Sequence, residues 1–137
     1  MRDPWARKIT HGHKDIELRS EPCHILNERI GIIESGTGTI VGTTVIVDCF
    51  WMSAQQLTSP TMRKRHRLYD HTKHNTIISR ITTEGGTWAW VCTDSRHYTV
   101  PISYTHPIGA VIDKWVNITR IQLRDNTKTD VIRSRIL

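Results

Sequence analysis

The sequence predicts an all-β domain: a small antiparallel barrel or sandwich of about seven strands, with one short helix and a basic loop. Three observations predict it. Short runs of Thr, Val, Ile and Trp recur along the chain, and such residues pack well on a pleated surface. Turn residues interrupt the runs every 8–12 residues or so. No strand–helix–strand alternation separates them, which argues against a parallel sheet. At 137 residues, 37% hydrophobic and 23% charged, the chain fits one domain of roughly 100–150 residues. A core of that size needs neither metal nor disulfide.

The elements follow in order. Residues 1–22 are polar and charged and are expected as an N-terminal arm before a single β domain over 23–137. Within the arm, residues 15–18 form a short edge strand. Residues 29–34 are the next strand, and Ser35-Gly36-Thr37-Gly38 is a hairpin turn where glycine takes positive φ cheaply. Residues 39–51 form a long strand. Val41, Val45, Val47 and Cys49 alternate onto one face, and Ile40, Ile46 and Phe50 onto the other. Apolar residues on both faces predict a central strand or one covered on both sides. Ser53 caps a short helix, and Pro60 stops it after about two turns. Residues 61–74 are a loop or short helix dense in charge.

A meander follows. Strands at 76–83, 87–93 and 97–103 are expected, with turns at Gly85-Gly86 and Asp94-Ser95-Arg96. Pro101 confines the last of these to an edge or a bulge. Residues 115–124 pair with 131–136 as a C-terminal hairpin. Trp88, Trp90 and Cys92 alternate onto one face and line the core.

The net charge of +6, with eight further histidines, favours acidic partners such as nucleic acid. Two basic groups stand out. Arg63, Lys64, Arg65, Arg67 and Lys73 crowd the loop, with Tyr69 available for stacking. Arg120, Arg124, Arg133 and Arg135 fall on one face of the C-terminal hairpin, and arginine forks suit phosphate oxygens. These nine residues are the expected nucleic-acid or anion contacts. An outer face charged to block edge aggregation explains the hairpin arginines equally well.

Other chemistry finds little support. His66, Asp70, His71 and His74 match no metal-binding spacing, so no metal site and no cofactor are expected. Cys23, Cys49 and Cys92 are widely spaced and odd in number, which excludes a disulfide framework and fits a reducing compartment. No histidine–cysteine pair is specified by spacing, so no catalytic residue is assigned. No apolar leader follows Met1, so secretion by a signal peptide is not expected. The apolar stretch at 43–52 is broken by Asp48 and too short to span a membrane.

The expected role is a non-catalytic assembly subunit, for instance of a virus or phage particle, located in the cytoplasm or the virion. It would form a homo-oligomer or larger assembly, with Trp5 of the arm anchoring a neighbouring subunit. The alternatives are a basic nucleic-acid-binding β-barrel module and, third, a small histidine-dependent ribonuclease.

Overall fold

The computed structural model describes residues 5–66, 81–105, 116–117 and 135–136. Helix α1 (Trp5–Thr10) precedes strand β1 (Ile16–Arg19) and the hairpin strands β2 (Arg29–Glu34) and β3 (Thr39–Ser53). Helices α2 (Ala54–Thr58) and α3 (Pro60–His66) follow, then β4 (Gly86–Ser103), β5 (Val116–Asn117) and β6 (Arg135–Ile136). The strands form one sheet in the order β1-β4-β3-β2-β6-β5. Its body is four antiparallel strands, β1 to β4. Among the described residues this sheet is open. The expected seven strands closed as a barrel or sandwich are not what they display.

The β2–β3 hairpin turns where expected, with Gly36 at φ 83 and Gly38 at φ 66. The Thr37 hydroxyl donates to the Glu34 carbonyl at 2.8 Å and steadies the turn. Strand β3 lies between β4 and β2, as its apolar residues on both faces require. Strict alternation along it fails, however. Register shifts at Ile40/Gly42, Thr43/Val45 and Ile46/Asp48 change the phase of the pleat. Val41 and Ile46, expected on opposite faces, therefore pack in one cluster, and Val47 is left exposed.

Strand β4 corrects the expected meander. Residues 87–93 and 97–103 belong to one 18-residue strand. Asp94, expected in a turn, is a local irregularity at φ 46 within it. Residues 81–84 are helical, although the sequence predicts a strand over 76–83, of which 76–80 lie outside the described residues. Gly85, at φ 77, then joins that helical turn to β4 and makes no hairpin. Pro101 sits beyond the stretch where β1 pairs with β4, so its missing N–H faces no described partner strand. Val116 pairs with Ile136 and Asn117 with Arg135 in the antiparallel sense, and Gly31 meets Ile136 in parallel.

The segment expected as an N-terminal arm holds α1 and β1. Ala6 and Ile9 of α1 are fully buried in a cluster with Ile30, Ile32, Val41, Ile46, Trp90 and Cys92. A fully buried isoleucine stabilises by about 1.5–3 kcal/mol, so tertiary packing, not helix propensity, holds this six-residue helix. Contact is close at Gly42: an added Cβ would lie 2.2 Å from the Arg96 carbonyl oxygen and 2.7 Å from Thr10 Cγ2. The other sheet face carries a second cluster of Ile16, Leu18, Met52, Ile81 and Ala89, covered by Leu57 and Met62 of α2 and α3.

Ser53 caps α2 as expected, in a capping box with Gln56. Pro60 ends α2 but also starts α3, because proline is tolerated at a first helical position. No helix among the described residues is long and apolar enough to cross a membrane.

Candidate functional site

Strand alternation assembles the site. In β1, Ile16 and Leu18 face the second cluster, so Glu17 and Arg19 face the other way. There β1 meets β4 with Glu17 opposite Trp90 and Arg19 opposite Trp88. Strand β3 continues the rows, with Cys49 opposite Trp90 and Trp51 opposite Trp88. One face of the sheet thus carries two charged residues beside three tryptophans.

The turn after α1 adds Lys14. Gly12, at φ 72, lets the chain reverse, and the backbone N–H groups of His13 and Lys14 both donate to the Lys8 carbonyl. Lys14 is only 2% exposed. Its Nζ donates to Glu17 Oε2 at 2.9 Å, and Arg19 Nε lies 3.3 Å from Glu17 Oε1. Burial pushes the Glu17 carboxyl upward, but Lys14 and Arg19 outweigh it and hold the group below its ordinary range. Glu17 is therefore ionised, accepts a hydrogen bond from Lys14 and is ion-paired with Arg19.

Indole rings wall this trio. Lys14 Nζ lies 4.9 Å from the Trp5 ring centre, and the Arg19 guanidinium lies 5.7 Å from that of Trp90. Trp90 Nε1 donates to the Glu21 carbonyl at 2.9 Å, which fixes its plane. Trp51 meets Trp88 edge to face at 5.6 Å and is 42% exposed. Gly86 makes room for it: an added Cβ would lie 2.8 Å from the Trp51 indole.

A buried ion pair is weak as a stabilising device, since desolvation costs several kcal/mol per ion. Charges held inside beside flat aromatic faces are instead a mark of a binding site. The exposed Trp51 indole on this face suits a planar ligand that stacks on it.

A second cluster lies at the end of the α1 turn. The His11 and His97 rings stack with centres 3.7 Å apart, and His13 stacks on His11 at 5.8 Å. Thr10 Oγ1 lies 3.0 Å from His97 Nδ1. Burial, then His11 and Arg7, lower the His97 pKa. Arg7 pairs with Glu34 through two hydrogen bonds, at 2.9 and 3.3 Å. No metal-ligand cluster occurs among the described residues.

The residues expected from sequence fall elsewhere. Arg63, Lys64 and Arg65 lie on α3, and Lys64 is exposed. Met62 of the same helix packs on the sheet face opposite Glu17 and Trp90. Arg135 lies in β6, while Arg67, Lys73, Arg120, Arg124 and Arg133 lie outside the described residues. Trp5 joins the site, covering Lys8 and Lys14 of its own chain. Lys14, Glu17 and Arg19 were missed. The signal for Glu17 and Arg19 is Ile-Glu-Leu-Arg, which reads as an edge strand, and Lys14 precedes it with no signal of its own.

A family model described as ASCH domain matches residues 1–105. Among solved structures, the chain is similar to the ASCH protein of Zymomonas mobilis, at 17% identity and a TM-score of 0.56, over 74% of this chain and 66% of that one. A serine-to-alanine variant of that protein aligns at 18% identity with a TM-score of 0.53, over 74% and 67% of the two chains. The chain thus spans about two-thirds of the length of these structures. No curated protein matches it. The family match overturns the expected structural subunit of a virus or phage particle. A β-rich chain with a tryptophan in a polar N-terminal segment suggested that role, and the segment packs on its own sheet instead.

Proposed function

The chain belongs to the ASCH domain family, and from that premise we propose that it is a binding domain for single-stranded nucleic acid. The observation that carries this reading is the buried Lys14–Glu17–Arg19 trio set among Trp5, Trp88, Trp90 and the exposed Trp51. A base stacks on the exposed face of Trp51, on the sheet face that also holds the buried trio. Stacking on an aromatic side chain is worth about 1–3 kcal/mol per base and tolerates any sequence. The excess of basic residues, 19 Lys and Arg against 13 Asp and Glu, draws in the phosphate backbone.

The test is a fluorescence-anisotropy titration with short RNA and DNA single strands over a salt series. Affinity falls steeply with salt, and Trp51→Ala weakens binding by roughly 5- to 150-fold, the equivalent of one lost stack. Absence of binding to every single strand at low salt overturns the reading.

A further inference from the structure

We infer that Cys23 and Cys49 form a reversible oxidation site, at which a hydroperoxide joins their two thiols as a disulfide. The pair does not depend on the nucleic-acid reading. The backbone N–H of Cys23 donates to Cys49 Sγ at 3.2 Å. With an N–Cα bond of about 1.46 Å, that sulfur lies within about 4.7 Å of Cys23 Cα. This is within the reach of a cysteine side chain extended by an S–S bond of about 2.05 Å. In the reduced protein the Cys23 thiol donates instead to the Ile25 carbonyl at 3.2 Å. Turning it about χ1 off that carbonyl brings it to Cys49.

The surroundings assign the roles. Cys23 is buried and Cys49 is half-buried, so Cys49 meets the oxidant first. Burial raises the Cys23 pKa, which suits a thiol that resolves rather than initiates. Cys92 is buried, and its thiol is pushed up to about 12 by burial, so it stays inert. In the first step the Cys49 thiolate attacks the peroxide oxygen, giving a sulfenic acid and hydroxide. The Cys23 sulfur then attacks the Cys49 sulfur and expels the sulfenic oxygen, which leaves as water with the thiol proton. Two thiols are oxidised by two electrons, and one hydroperoxide is reduced. With hydrogen peroxide the products are the disulfide and two waters. The bridge staples the loop after β1 to β3, beside the Glu21 carbonyl that holds the Trp90 indole.

The experiment treats the native full chain with mild hydrogen peroxide, removes the excess with catalase, and unfolds it in iodoacetamide. The expected result is alkylation at Cys92 alone, loss of two hydrogens from the intact mass, and a Cys23 peptide linked to a Cys49 peptide. Dithiothreitol restores all three alkylation sites, and Cys92→Ser gives the same link. Alkylation of all three cysteines after oxidation overturns the inference. So does a link through Cys92, a link between two chains, or over-oxidation of Cys49 with Cys23 left as the thiol.

Discussion

Glu17 is the residue on which the interior of the site turns. It accepts from Lys14 at 2.9 Å and faces Arg19 at 3.3 Å. Glu17→Gln leaves the Lys14 ammonium buried against a neutral amide, so stability falls by about 3–5 kcal/mol in urea unfolding. The pH dependence has a definite sign. Lys14 and Arg19, working against burial, hold the folded Glu17 pKa below its ordinary 4.5. The unfolded chain therefore takes up the proton first as pH falls. The stabilisation is complete above about 4.5 and drains away as pH drops through the folded value. Urea midpoints of Glu17→Gln should accordingly depend less on pH in the acid range than those of the wild type. At the second cluster, burial is the main cause that keeps His97 below its usual value, and His11 is the next. His11→Ala should move the His97 titration upward in an NMR pH series, though not all the way to that of a free histidine. An unchanged His97 titration would remove the stacked ring as a cause.

At the scale of elements, the docking of α1 on β3 depends on one small residue. Gly42→Ala forces a Cβ to 2.2 Å from backbone at Arg96 and 2.7 Å from Thr10, so the helix and the β4 strand must both shift. The expected cost is about 1–3 kcal/mol. Gly36→Ala, at φ 83 with nothing within 4 Å, pays only left-handed strain of about 1–2 kcal/mol. Thermal unfolding of the two variants separates them by a second readout: only Gly42→Ala should loosen α1, seen as faster amide exchange at Ile9 and Thr10. The same elements mark how far the sequence was legible. Strands β2 and β3, the Ser53 cap and the turn at Gly36–Gly38 carry local signals strong enough to read directly. Strand β4 reads as two strands because Asp94 looks like a turn residue, and the pairs Thr93 with Val45 and Arg96 with Thr43 on either side of it carry the strand through. Helix α1 is not legible because the spacing of its three buried residues, Ala6, Ile9 and Thr10, spans too short a window to stand out. The charged face of β1 was readable in spacing but not in burial, since the element that covers it is α1.

Taken whole, the described residues form an open sheet padded on both faces, with the charged trio and four tryptophans gathered where the β1 edge meets β4 and β3. Overall basicity was legible and pointed towards a phosphate-bearing partner. The position of the site was not, because it combines residues 5–19 with residues 51 and 88–90, and only tertiary pairing unites them. That pairing has a bearing on biosynthesis. On the ribosome, β1 emerges early and must wait for Trp88–Val91 before it has a neighbour. Non-local pairing of this kind is slow, and until it occurs Ile16 and Leu18 have no cover. Nascent chains arrested before residue 88 should be cut by protease within the first 20 residues, and those released after residue 103 should resist. Such a delay makes the N-terminal segment the natural handhold for a chaperone during synthesis.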